Sequence, residues 1–184
     1  MDIVFPNGNE QEFIKMAEHL GITELVFAYS KLPPKPLPTT AKVKVRIAIL
    51  AEPKNVQATK RKAGFVITKA SSTEQDRFLF EKAKPDIIFE LEQSQRPDGL
   101  FQRNSGLNHI MAALAAKNEM TVAFSFSSIL NSSGFRRAQI MGRMAQNLVL
   151  CRKYKVKTLF ASFANSPLEM RSEHDLKAFF GLIA

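Results

Sequence analysis

The sequence predicts an α/β fold: first an irregular TIM-like β/α barrel of about seven parallel strands, and second an open doubly wound sheet. Two observations carry this expectation. Strand-like and helix-like segments alternate through most of the chain, and segments such as Ile47-Ala48-Ile49-Leu50 are apolar on both faces, as strands covered by helices on both sides are. The length of 184 residues, with 45% hydrophobic and 23% charged residues, suits a single globular domain over residues 1–184.

Asp2 to Phe5 reads as the first strand, stopped by Pro6-Asn7-Gly8. Asn9 then caps a helix in which Phe13, Met16, Ala17 and Leu20 recur at helical spacing, and Gly21 closes it. Glu24 to Tyr29 is the second strand. It runs into Leu32 to Pro38, whose four prolines favour an extended connector where a helix would be expected, and this makes the barrel irregular. Val43 to Ala51 is the third strand, followed by a basic, polar segment from Lys54 to Lys62. Phe65 to Thr68 is the fourth strand, with a helix from about Thr73 to Pro85 behind it. Asp86 to Leu91 is the fifth. Ser105 is the expected cap of a helix reaching Lys117, with Leu107, Ile110, Met111 and Leu114 as its apolar stripe. Thr121 to Phe126 forms the sixth strand and Ser127 to Ser133 a turn. A long helix covers Phe135 to Tyr154, the seventh strand Thr158 to Ser162, and a last helix about Ser172 to Phe180.

Charge is unevenly distributed. The net charge is +9, and Met120 to Leu168 holds no aspartate or glutamate but carries Arg136, Arg137, Arg143, Arg152, Lys153, Lys155 and Lys157. A clustered basic excess is the electrostatic footprint of a polyanion, because cations that neutralise phosphates release condensed counterions; a solvated basic helix is the bland alternative. On a helical wheel, Arg136, Gln139, Arg143, Gln146, Asn147 and Lys153 share a polar arc opposite Ile140, Met144, Leu148 and Cys151. Arg137 and Arg152 fall in the apolar arc and rank as weaker candidates. No apolar run is long enough to span a bilayer and no secretory signal precedes the first strand, so a cytoplasmic protein without a membrane partner is expected. The one cysteine, Cys151, reads as a small buried hydrophobe.

Catalytic signals are sparse. Glu90 and Glu92 alternate along the fifth strand and would point to one side near its C-terminal end, where β/α barrels place active sites. The structural alternative is pairing with a basic residue on an adjacent strand, such as Arg46 or Lys69. His19, His109 and His174 are scattered, without HxH, HExxH or a cysteine cluster, so no metal site and no catalytic residue is assigned to this chain.

Arg103-Asn104-Ser105-Gly106-Leu107-Asn108-His109-Ile110, continuing to Ala115-Ala116-Lys117-Asn118, closely resembles a signature of the ribonuclease P protein component 3 family, the archaeal relative of the thirty-kilodalton subunit of eukaryotic ribonuclease P. Ala123 to Ser127, Arg143 to Leu148, Leu150 to Val156, Ser162 to Ser166, Arg171-Ser172 and Asp175-Leu176 are similar to further family segments, in family order; Glu173 stands where the family usually has proline. The resemblance implies a barrel subunit of the ribonucleoprotein that removes 5′ leaders from precursor tRNA. Its implied partners are ribonuclease P RNA, precursor tRNA, a smaller protein subunit and the other ribonuclease P proteins. It implies catalysis by the RNA, with Mg²⁺ expected at the RNA site and no cofactor on this chain. The fold also resembles metal-dependent phosphoesterase barrels, but Asp2 to Phe5 stands where those carry an HxH pair. The expected RNA contacts are Arg103, Lys117, Arg136, Arg143, Lys153 and Arg171, and the small-residue face at Ala112, Ala113 and Ala116 is the expected protein contact. The alternatives are a barrel hydrolase using Glu90 and Glu92, or a general RNA-binding protein.

Overall fold

The computed structural model describes residues 1–33, 42–100 and 102–183. Seven parallel strands, β1 (Asp2–Val4), β2 (Glu24–Tyr29), β3 (Lys44–Leu50), β4 (Val66–Lys69), β5 (Ile87–Phe89), β6 (Thr121–Ser125) and β7 (Lys157–Ala161), pair in sequence order. Helices α1 (Glu10–His19), α2 (Val56–Ala63), α3 (Thr73–Phe78), α4 (His109–Lys117), α5 (Phe126–Leu130), α6 (Gly134–Tyr154) and α7 (Glu173–Ile183) follow or connect them, and α3 continues as a π-helical turn over Leu79–Ala83. The fold is the irregular TIM-like barrel expected from the two-faced strands.

Alternate strand residues supply an inner and an outer core. Ile3, Val26, Ala48, Ile67, Ile87 and Phe89 fill the inside, where small alanines face large rings such as Phe163. Outside, α4, α6 and α7 bury Met111, Ala112, Met144, Leu148 and Phe180 against one part of the sheet, while Phe13, Ile14 and Ala17 of α1 cover β1 and β2. Closure between β7 and β1 uses little ladder: a single parallel bridge joins Val4 and Ala164, with Phe5 N–H donating to Ala164 O at 2.8 Å. The Asp2 carboxylate completes the seam. It accepts from Ser162 N–H at 2.6 Å and from Ser162 Oγ at 2.5 Å, at a fully buried position where desolvation raises its pKa against those hydrogen bonds.

Several elements differ from expectation for identifiable reasons. The segment Lys54 to Lys62 contains α2, a helix with only Val56 buried; polar contacts hold it, Gln57 Nε2 donating to Ala83 O at 2.7 Å and Lys60 pairing with Asp86 at 2.7 Å. Without an apolar stripe, periodicity cannot reveal such a helix. Helix α4 begins at His109, capped by the side chain of Asn108, which accepts from Met111 N–H at 2.9 Å. Ser105 is therefore not its cap, and Ile110 is 54% exposed while Leu107 and Met111 are buried. The expected turn at 127–133 is partly α5, capped by Ser125. Most of the Leu32 to Pro38 connector lies outside the described residues. No helix of the described residues is long and apolar enough to cross a membrane.

Candidate nucleic-acid interface

Helix α6 has 21 residues, and its expected polar arc, apart from exposed Lys153, grips the loop after β5. Arg143 is fully buried. Its Nε donates to Asp98 Oδ1 at 2.9 Å, Nη1 to the carbonyls of Glu92 and Ser94 at 3.1 and 2.6 Å, and Nη2 to the carbonyl of Arg96 at 2.6 Å. Asp98 loses solvation there, but the Arg143 hydrogen bond, the Asn104 N–H and Gln139 together hold its carboxyl below the usual range. Further along the arc, Gln146 donates to Arg103 O and Ser105 Oγ, and buried Asn147 donates to Ser105 O at 2.8 Å. Near the helix start, Arg136 bonds Gln93 Oε1 at 2.8 Å and Gln139 Oε1 at 2.7 Å. Five polar side chains of one helix thus clamp residues 92–98 and 103–105.

The same latch gives the signature from Arg103 to Asn108 its structural meaning. Gly106 has φ +79°, and a Cβ there would stand 2.1 Å from Leu91 O, so only glycine fits beneath the loop. Gly142 lets Arg103 lie across α6; a Cβ would meet Arg103 Nε at 2.8 Å. Leu107 enters the core and Asn108 caps α4.

The six expected RNA contacts are therefore scattered in character. Arg103, Lys117 and Lys153 are exposed. Arg136 is half-buried on Gln93, and Arg171 is half-buried with Nη1 on Leu168 O and Met170 O and its guanidinium 5.5 Å from the Phe126 ring centre. Arg143 is buried, which corrects its placement on an exposed arc: its charge and donors are consumed by Asp98 and three carbonyls. Conversely Arg137 and Arg152, ranked lower on the wheel, are exposed. The wheel shows which residues share a face but not that a loop occupies it.

Topology brings many of the exposed cations together. Because the strands are parallel and helices run back between them, the ends of α2, α4 and α6 and of the π-turn after α3 meet the strand starts at one rim. That rim carries exposed Arg61, Lys62, Lys82, Lys117, Arg152 and Lys153, with Lys155 and Lys157 beside them. Glu119 interrupts it, and Lys60 is neutralised by Asp86. Cations suit helix C-termini on dipole grounds alone, and gathered on one rim they also make a positive surface facing outward.

Glu90 and Glu92 are not a facing pair on a strand. Strand β5 ends at Phe89; Glu90 adopts φ 62° and pairs with Lys69 Nζ at 2.6 Å, the adjacent-strand partner named above. Glu92 is fully buried in a 3₁₀ turn with Oε1 unpartnered, and desolvation, with a smaller push from Glu90, raises its pKa to about 8. Among the described residues no group of three His, Cys, Asp or Glu side chains is arranged to hold a metal ion. Cys151 is buried, which pushes its thiol up to about 12. The expected protein contact also changes: Ala112 is buried in the chain's own core, Ala116 packs against it, and Ala113 is exposed.

The fold and latch define a parallel β/α-barrel protein with exposed cations gathered at one rim and no facing Glu90–Glu92 pair. The chain belongs to the RNase P subunit p30 family, whose model matches residues 9–183. Among curated relatives, it is 26% identical over 131 residues to ribonuclease P protein component 3 of Methanococcus maripaludis, covering 71% of this chain and 53% of that protein. It is 36% identical over 78 residues to the protein of the same name from Methanosarcina acetivorans, covering 42% of this chain and 33% of that one. The matched stretches thus span about half, or less, of these relatives. In fold it is similar to a chain in a cryo-EM structure of archaeal ribonuclease P with mature tRNA, with a TM-score of 0.77, 19% identity, and coverage of 100% of this chain and 82% of that one.

Proposed function

We propose that this chain is a protein subunit of ribonuclease P, which removes 5′ leaders from precursor tRNA, and that it binds and supports the catalytic RNA together with a smaller protein subunit and the other proteins of the particle. The family match running from residue 9 to residue 183 carries this reading. The basic rim supports it, since a folded RNA offers the phosphates such a surface attracts. Catalysis, with its Mg²⁺, is left to the RNA, and the cytoplasm is the expected compartment. The chain's own carboxylates suit structure better than acid–base work: Glu90 is engaged by Lys69 and Glu92 is sealed from solvent.

The test is leader cleavage of precursor tRNA in Mg²⁺, with the chain, ribonuclease P RNA and fellow subunits combined and omitted in turn. Cleavage should require the RNA and rise when the chain joins the other subunits, and Glu90→Gln should not abolish it. RNA-independent cleavage lost in Glu90→Gln would establish the hydrolase instead. Equal competition by unrelated RNAs would establish a general RNA-binding protein.

A further inference from the structure

At the end of the barrel opposite the basic rim, the strand C-termini open into a cavity of about 750 Å³. Its floor is aromatic. Phe89 and Phe163 stack with ring centres 4.5 Å apart, and Phe5 lies 6.1 Å from each, the one of the three that keeps solvent access. Around this floor stand neutral polar side chains, including Ser71, Gln95, Asn131, Ser132 and Asn165. The two charged residues lining the cavity, Lys69 and Glu90, neutralise each other at 2.6 Å.

The backbone here is held in costly conformations. Among the described residues five non-glycine residues have positive φ. Lys84, Glu119 and Lys155 lie just past helical ends, where a left-handed residue commonly stops a helix. The other two, Glu90 at 62° and Phe163 at 49°, directly follow β5 and closely follow β7, and both line the cavity. A bulky residue in this region is a genuine outlier and persists only where its surroundings over-determine it. Those surroundings are present: Ser127 Oγ donates to Phe163 O at 2.9 Å, and Ser128 Oγ to Glu90 Oε1 at 3.1 Å. The Phe163 ring stacks on Phe89 beneath the opening, the two planes 16° apart.

We propose that this cavity binds one unpaired nucleobase. A base is flat, uncharged and edged with donors and acceptors, matching an aromatic floor ringed by hydroxyls and amides. A phosphate matches poorly, because the cavity's one cation is already paired. Cations for the flanking phosphodiester stand just outside, at the start of α6: Arg136 is bonded to Gln93, itself a lining residue, and exposed Arg137 is bonded to the carbonyl of Ser132. The base comes from an RNA strand or a free nucleotide; only the first source rests on the function proposed above.

The experiment uses the full chain, a short single-stranded RNA carrying one iodouridine, uridine monophosphate as competitor, and ribonuclease P RNA in parallel. Photocrosslinks should map to peptides containing Phe5, Phe89 or Phe163. Phe5→Ala and Asn131→Ala, the second at an exposed position, should each weaken binding of the short strand roughly tenfold, the size of one stacking or hydrogen-bonding contact. Competition by uridine monophosphate assigns the cavity to a free nucleotide, and its absence assigns it to a base within a strand. Crosslinks confined to the basic rim, with both variants binding like the parent, overturn the proposal while retained binding of ribonuclease P RNA leaves the subunit reading standing. Failure of ribonuclease P RNA to bind overturns that reading, and the crosslink map still decides the cavity.

Discussion

Glu92 shows how burial alone sets the behaviour of a carboxyl. With Oε1 unpartnered and no solvent access, it is protonated more readily in the folded chain than in the unfolded one, its pKa rising to about 8. A raised folded-state pKa means that the folded state binds the extra proton. The stability this provides is full below the unfolded value, near 4.3, and is lost as pH rises through about 8. Glu92→Gln, a neutral isostere, should therefore match the parent in urea unfolding near about pH 4 and exceed it by a few kcal/mol near about pH 9. A parallel loss of stability in both proteins over that range would show that Glu92 does not titrate with folding.

At the scale of elements, the decisive unit is the clamp of α6 on residues 92–98 and 103–105. Replacing Arg143 with Met leaves three carbonyls without their donor and Asp98 with only Asn104 N–H and Gln139, and leaving such acceptors unsatisfied costs about 1 to 3 kcal/mol. Thermal unfolding should report that loss, and hydrogen exchange should show the loop after β5 opening. Gly106→Ala should be comparably damaging because its Cβ meets backbone, whereas Gly142→Ala meets only the end of the Arg103 side chain and should be mild. The elements themselves were legible from their patterns: two-faced apolar strands announced parallel pairing, and Ile140, Met144, Leu148 and Cys151 of α6 lie in the core as the wheel implied, although Val149 of the same arc is 59% exposed. The function of its polar half was not. An acid-free arc of arginines and amides reads as an RNA surface when its acid, Asp98, and its acceptors come from a loop some 45 residues away, and no local periodicity encodes that pairing. For the same reason α2, held by carbonyls of the next helix, carries no stripe to find.

For the molecule as a whole, parallel topology matters more than any single basic segment. It gathers cations from α2, α4 and α6, far apart in sequence, onto one rim, and leaves the aromatic-floored cavity at the other. Replacing Arg152 and Lys153 together with Gln should flatten the dependence of log K on log salt for RNA binding by about 0.7 to 0.9 per charge, while Arg136→Gln should change it less because that guanidinium is already bonded within the chain. Equal slopes for the parent and the double variant would remove this rim from the RNA contact. The Asp2–Ser162 seam has a different consequence, for the order of events in folding. Each strand pairs with its neighbour in sequence, so the sheet can zip forward one strand at a time, whereas this seam joins groups 160 residues apart. Its bonds belong to the last step of closure and the first of opening. Loss of the Asp2 carboxylate should accordingly speed unfolding and leave refolding nearly unchanged, a separation that stopped-flow kinetics can read.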